Sequence, residues 1–376
     1  MNGIFEHQIK IKKLETFTTR YVSAVRLTME DGSQGWGQMS TYCANITSKI
    51  FHQQVAPHVL GKEFRDFTDM GDLIMEREHK FPGSYVLRAL AGLDTALWDW
   101  LGRKEELSVT ELIGGTVGKV PVYASSMKRD ISPQDEAKRF IKLRDDFGYK
   151  AFKFRVGSEC GRGRDEWEGR TEEIVVEVPK KLGPDIVKMV DGNSCYSADQ
   201  AIELGSRMTD NGITHFEEPC PYWLPDETKK VTDALEIDVT GGEQDCDMRI
   251  WKDMIDRKVV DIVQPDVMYM GGLTRSLQVA KMAELANITC TPHAANLSLV
   301  TVCTMHFLKG ITNSGKFLEF SIEGLDYYPW QSDLFASDPF QIENGELTIK
   351  NIPGWGVDFN KQWLEKAGYE YSEYEE

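Results

Sequence analysis

The chain has 376 residues, with 43 Lys and Arg against 60 Asp and Glu, for a net charge of −17. So acidic a surface repels phosphate backbones and argues against a nucleic-acid partner, and the sequence holds no apolar run of about 18 residues that would span a membrane. Seven cysteines, an odd number with no CxxC pair, argue against a disulfide framework or a Cys-rich zinc site.

The opening Met1-Asn2-Gly3-Ile4-Phe5-Glu6-His7 lacks the basic-then-apolar layout of a secretory leader, so a reducing cytoplasm is the expected location. The length suits two domains, or one large barrel with an appendage. Tyr21 to Met29 has strand character, and Asp31-Gly32 followed by Gly35-Trp36-Gly37 predicts an antiparallel hairpin. Val86, Leu90, Leu93, Leu97, Trp100 and Leu101 step at helical spacing and predict an amphipathic helix closed by Gly102. Asp94 and Asp99 flank that stripe and read as structural charges.

From about residue 120 the pattern changes. Short apolar runs at Val120–Ser125, Ala151–Val156, Val187–Asn193, His215–Glu218, Asp238–Gln244, Asp261–Val267, Ile288–His293 and Phe317–Ser321 alternate with helical stretches. Eight such runs at this spacing predict a (β/α) barrel rather than an open sheet. The domains expected are a cap over 1–119, a barrel over 120–324 and a C-terminal segment over 325–376. The Tyr- and Glu-rich end is expected to fray.

Barrel strands are buried on both faces, yet seven of these runs carry ionisable groups, most of them near the C-terminal end where catalytic groups collect. Lys153 and Arg155 share one strand face, as do Asp191 and Asn193. Asp191, Glu217 and Glu243 are evenly spaced on three adjacent strands, and three converging carboxylates need a cation. An all-oxygen donor set with room for water suits Mg²⁺ better than zinc. Glu218 follows Glu217 and by strand alternation faces away. Asp266 and His293 on consecutive strands form a carboxylate–imidazole pair suited to a general base. His215 reads as structural, and the Gly161-Arg162-Gly163-Arg164 stretch as a flexible loop rather than a phosphate site.

These residues resemble the enolase superfamily in its mandelate racemase branch. The matching pieces are Ala91 to Asp99 with Leu112-Ile113-Gly114-Gly115, Lys153-Phe154-Arg155, Asp191-Gly192-Asn193, Glu217-Glu218-Pro219 and Gly242-Glu243. They continue through Gln264-Pro265-Asp266, Gly271-Gly272, Thr291-Pro292-His293 and Leu318-Glu319, in order along almost the whole chain. The resemblance implies an α/β fold, a modified TIM barrel (β/α)₇β with an α+β capping domain, and favours a homo-oligomer. It implies Mg²⁺ on Asp191, Glu217 and Glu243, Lys153 steadying a substrate carboxylate, and Glu319 hydrogen-bonding a carboxylate oxygen. Asp266 and His293 take the acid–base role. Cap loops near Thr19-Arg20-Tyr21 and Thr41-Tyr42 close over the substrate, so Arg20 and Tyr21, with Asn193, are the expected substrate contacts.

One departure matters. Racemases of this branch carry a second lysine, a base, where this chain has Arg155, and a guanidinium is a poor base. The expectation is therefore a Mg²⁺-dependent dehydratase of an aldonate or aldarate, with Arg155 as acid, base or substrate clamp. The alternatives are a racemase, epimerase or cycloisomerase of the same superfamily, or a metal-binding barrel without turnover, which would have lost a ligand or the dyad. A zinc hydrolase would want an HxH pair on an early strand, and none exists in the sequence.

Overall fold

The computed structural model describes residues 8–294 and 296–375. The opening heptapeptide, whose layout carried the expectation about a leader, lies outside the described residues. Ile9–Thr18 (β1), Ser23–Met29 (β2) and Gln34–Gln38 (β3) form an antiparallel sheet, with Val25 opposite Gly37 and Arg26 opposite Trp36. The predicted hairpin is therefore present, and Gly32 sits at its tip with φ +82°. Glu63–Phe64 (β4) adds to the start of β1.

The helix over Ser84–Glu105 differs from its expected form in two ways. It runs past Gly102, ending where Glu106 takes a left-handed conformation, because Gly102 serves close packing rather than termination. A Cβ there would lie 2.7 Å from Gly354 Cα. Its residues from Val86 to Gly102 are also buried on almost every side except Arg88, so it is a central helix and not a one-sided one. The sheet crosses it so closely that a Cβ on Gly35 would stand 2.2 Å from Ala96 O.

Asp94 and Asp99 are structural, as their flanking positions imply. Asp99 accepts the backbone N–H groups of Trp36 at 2.9 Å and Trp355 at 3.0 Å and the Arg103 Nε–H at 2.7 Å, tying sheet, helix and tail together. Burial pushes the Asp94 carboxyl up to about 7, and it accepts the N–H of Thr274 at 3.2 Å. Gly272, at φ +114°, leaves room for that carboxylate, since a Cβ would approach it to 2.2 Å.

Eight strands then follow in the predicted order: Gly118–Ser125 (β5), Ala151–Arg155 (β6), Val187–Asp191 (β7), His215–Glu217 (β8), Asp238–Gly241 (β9), Ile262–Val263 (β10), Thr289–Cys290 (β11) and Leu318–Ser321 (β12). Their order around the sheet is β11-β10-β9-β8-β7-β6-β5-β12, every neighbouring pair parallel. Helices follow each of the first seven strands, so the architecture is the modified (β/α)₇β barrel with a separate antiparallel sheet. Between β11 and β12 the closure is made by the approach to β12, where Cys290 exchanges backbone bonds with Asn313 and Gly315 at 2.9 and 3.0 Å.

The C-terminal segment contributes Glu346–Ile349 (β13), antiparallel to the start of β5, and Gly368–Glu373 (β14), antiparallel to β1. The expectation of a frayed end is thus corrected. Pairing with β1 satisfies that segment's backbone, and Tyr369 packs 5.4 Å from Phe17, which outweighs the polarity of the sequence. No helix among the described residues is long and apolar enough to cross a membrane.

Candidate active site

Register builds the centre of the site. Arg155, Asp191 and Glu217 are direct partners across β6, β7 and β8, so their side chains form one row at the barrel mouth. Lys153, two residues before Arg155, shares their face and is 1% exposed, while Phe152 on the opposite face packs 4.7 Å from Phe140 of the surrounding helix Pro133–Phe147. The Lys153 Nζ lies 2.6 Å from Glu217 Oε1, 2.8 Å from Glu319 Oε1 and 3.8 Å from Asp191 Oδ2. Burial penalises that ammonium, but Glu217 and Glu319 outweigh the penalty and hold it charged, well above its ordinary range.

Beyond the strand ends, alternation no longer decides direction. Glu243 stands two residues past β9, after Gly242 at φ +106°, where a Cβ would meet the Trp251 ring at 2.4 Å. Asp266 caps the short helix Val267–Met270, accepting the N–H groups of Met268 and Tyr269 at 2.7 and 3.1 Å. Its second oxygen lies 2.7 Å from His293 Nδ1, which leaves Nε2 directed at Glu243 Oε2, 3.3 Å away, and Glu319 Oε2, 3.8 Å away. Burial alone would depress His293, yet the charges of Glu243, Glu319 and Asp266 raise it to about 10.

Glu218 departs from its expected placement. Its φ of +40° takes it out of the strand geometry, and Asn193 Nδ2 stands 3.5 Å from its Oε2, so both glutamates approach the same mouth. Glu218 Oε1 is buried without a hydrogen-bond partner, and burial with the charges of Glu243 and Glu217 pushes this carboxyl well up. Glu319 accepts Ser125 Oγ–H at 2.8 Å and the Ala294 N–H at 3.0 Å, and Lys153 and His293 hold it far below the carboxylate range against its burial. In this arrangement Glu319 also holds the Lys153 ammonium, 2.8 Å from its Oε1.

Arg155 donates to Ser126 O at 3.0 Å, to Asn193 Oδ1 at 2.9 Å and to Met127 Sδ, and pairs with Asp191. Asn193, at φ +38°, also donates to Asp191 Oδ2 at 3.2 Å. His215 sits at the opposite strand end, against Thr214 Oγ1 at 2.7 Å and 3.7 Å from Asp238.

Tyr21 belongs to an aromatic group, 5.4 Å from Trp330 and 6.2 Å from Tyr42. Arg20 is exposed and stacks 5.1 Å over the Tyr21 ring rather than facing the carboxylates. Several neighbours of the site carried no periodic signal. Gln264 Nε2 donates to Glu217 at 2.7 Å, Arg129 Nη2 donates to Asn193 Oδ1 at 2.6 Å, and Tyr269 lies 6.1 Å from the His293 ring with Arg88 stacked 3.6 Å above it. Of these only Gln264 belongs to a quoted motif, beside Pro265-Asp266.

Among the described residues no three His, Cys, Asp or Glu side chains stand gathered as an ion cage. Asp191 is drawn to Arg155, Glu217 to Lys153 and Glu243 to His293. The donor chemistry nonetheless fits a hard cation. Asp191, Glu217, Glu218, Glu243, Asp266 and Glu319 are buried together with Lys153, Arg155 and His293, and Glu218 and Glu243 are both pushed up, first by burial and then by neighbouring carboxylates.

Residues 135–363 match the family described as enolase C-terminal domain-like, and residues 6–114 match the mandelate racemase / muconate lactonizing enzyme N-terminal domain. The arabinonate dehydratase of Saccharolobus solfataricus is 25% identical over 95% of this chain and 90% of its own. The D-galactarolactone cycloisomerase of Agrobacterium fabrum is 27% identical over 93% and 91%. A crystal structure from Roseobacter denitrificans, provisionally called a racemase, is 55% identical with a TM-score of 0.96, covering 97% of this chain and 100% of that one. A mandelate racemase/muconate lactonizing protein of Paracoccus denitrificans complexed with magnesium is 27% identical with a TM-score of 0.87, covering 96% and 97%. The chain therefore belongs to the mandelate racemase / muconate lactonizing enzyme family of the enolase superfamily.

Proposed function

We propose that the protein is a Mg²⁺-dependent hydro-lyase that converts an acid sugar into a 2-keto-3-deoxy acid. The observation that carries this reading is a single imidazole base, His293 held by Asp266 at 2.7 Å, with an arginine rather than a lysine at position 155. Arg155 spends its N–H groups on Ser126, Asn193 and Met127 and lies against Asp191, so it acts as a donor and not as a second base. Racemisation needs a base on each face of the reacting carbon; dehydration needs one.

Asp191, Glu217 and Glu243 would hold Mg²⁺, which supplies Lewis-acid stabilisation to the substrate carboxylate and draws on the Glu243 charge that keeps His293 protonated. Lys153 donates to the same carboxylate as negative charge develops there, and Glu319 keeps the ammonium aimed. His293 Nε2 takes the proton α to the carboxylate. The electron pair of that C–H bond becomes the new C=C bond as the β C–O bond breaks. The proton on His293 passes to the departing hydroxyl, which leaves as water, and the enol tautomerises to the keto acid. Asp266 keeps Nδ1–H fixed, so the ring exchanges its proton at Nε2 alone.

The test is incubation with Mg²⁺ and a panel of aldonates and aldarates, scored by keto-acid formation. Turnover that survives His293→Asn overturns the role of the dyad. A product that carries solvent deuterium in an inverted or ring-rearranged skeleton, without loss of water, favours the racemase or cycloisomerase reading instead.

A further inference from the structure

Arg155 rests on two residues of the turn that follows β5. Its Nε–H donates to Ser126 O at 3.0 Å and its Nη2 to Met127 Sδ, so the placement of that turn fixes the placement of the guanidinium. The Arg155 backbone is secured separately, by Arg170 Nη1 donating to its carbonyl at 2.9 Å. The turn itself is gripped by one side chain of the surrounding helix Pro133–Phe147. Arg139 Nη1 donates to Ser126 Oγ at 3.4 Å, and its Nη2 donates to Ile322 O at 3.1 Å. The same Nη2 pairs with Glu323 Oε2 at 3.0 Å, while Glu323 Oε1 accepts the Met127 N–H at 2.8 Å. One guanidinium therefore ties Ser126, Met127 and the residues just past β12 into a cradle for Arg155. Glu136 completes it. This glutamate is fully buried, neither of its oxygens has a hydrogen-bond partner among the described residues, and Arg139 Nη1 lies 3.6 Å from its Oε2. Burial pushes the Glu136 carboxyl up, against the pull of Ser126 and Arg139.

We propose that Arg139 is a positioning residue: it acts through the 126–127 turn to fix the direction in which Arg155 presents its donors to the substrate. Its kinetic consequence rests on the dehydratase reading; its structural consequence, an immobile Arg155 Nε–H, does not. Two buried carboxylates beside one arginine add little net stability, because desolvation offsets the attraction, but they do define a geometry. Glu136 and Glu323 flank the Arg139 guanidinium and leave its remaining donors aimed at Ser126 and Ile322. A lysine there would keep the charge but lose the planar fork that reaches the turn, Ile322 and both carboxylates at once. A donor displaced by about 1 Å can cost about 10²-fold in rate even when the altered residue lies away from the chemistry.

The test is a double-mutant cycle with a second, non-kinetic readout. Arg139→Met should lower kcat/KM for keto-acid formation by about tenfold or more in the otherwise unaltered enzyme. In an Arg155→Lys background, which lacks the group it acts through, the same change should cost less than about twofold. Arg139→Lys should recover part of the loss. The nitrogen-15 resonance of Arg155 Nε, assigned by its disappearance in Arg155→Lys, should exchange its hydrogen with solvent about tenfold faster in Arg139→Met. Equal losses in both backgrounds, or unaltered exchange, overturn the positioning role and leave Arg139 a structural pair. Turnover indifferent to Arg139→Met overturns the inference while the dehydratase reading stands. Faster exchange with no keto acid from any acid sugar upholds the positioning of Arg155 and overturns the dehydratase. Should Arg139→Met fail to melt cooperatively, Glu323→Gln, which loosens the same contacts to Met127 and Arg139, takes its place in both measurements.

Discussion

The buried carboxylate of the cap sheet and those of the barrel mouth sit in different surroundings. In the cap sheet, Glu15 is 3% exposed and fully matched. Arg26 donates Nε–H and Nη2–H to its two oxygens at 2.7 and 2.8 Å, and the Tyr369 hydroxyl donates at 2.7 Å. Burial pushes this carboxyl up, but those bonds overcome it and hold the group at about 2. At the barrel mouth six carboxylates stand with Lys153, Arg155 and the raised imidazole of His293, one oxygen of Glu218 has no partner, and Glu243 and Glu218 are pushed up. A carboxylate fully matched by neighbouring cations and donors is a structural fastener. An unmatched excess of one sign is a site waiting for something of the other sign.

The contrast can be broken most directly at His293. Replacing it by Asn should lower turnover by about 10³-fold, the span expected of a general base, while the thermal transition remains cooperative. Loss of folding instead would place the dyad with Glu15 as a fastener. Chelation should likewise abolish turnover and leave the secondary structure intact, with activity returning on addition of Mg²⁺. Circular dichroism beside the activity assay reads both.

Lys153→Met removes the ammonium shared by Glu217 and Glu319. In the absence of metal it should destabilise the fold by about 3–5 kcal/mol, the cost of leaving buried charge unpaired, and Mg²⁺ should return part of that loss. Denaturant titration with and without the ion separates the two contributions.

The two regions should also respond oppositely to pH. His293 is raised from 6.5 to about 10, so in the metal-free protein its contribution to stability is complete below pH 6.5 and is lost as pH rises through about 10. Glu15 is lowered from 4.5 to about 2, so its contribution is complete above pH 4.5 and is lost as pH falls through about 2. Melting curves of His293→Asn and Glu15→Gln should flatten the alkaline and acid limbs respectively. The smallest effect belongs to Glu15→Gln at neutral pH, about 1 kcal/mol by denaturant titration, with no change in turnover.

Much of the barrel was legible because its cause is periodic. Eight apolar runs separated by helical stretches have few other ways to bury themselves, and Lys153, Arg155, Asp191, Glu217 and Glu319 inherit their direction from strand alternation. The rule fails one residue past a strand. Glu218 turns toward the mouth because its backbone is left-handed, and Gly102 continues a helix because Gly354 packs against it. The β14 strand shows the same limit. Its polar sequence reads as a loose end until β1 offers it a ladder.

The sequence by itself determined the βα alternation, the row of charges at the strand ends and the presence of Asp266 and His293 on consecutive runs. These are matters of period and composition within short stretches of chain. The tertiary structure alone set Gln264 against Glu217, Ser125 against Glu319 and Arg129 against Asn193, where Arg155 also donates. Those contacts join residues 38 to 194 positions apart across loops with no repeat. Their geometry follows from how separate strands close into one barrel, and no local window of sequence records that.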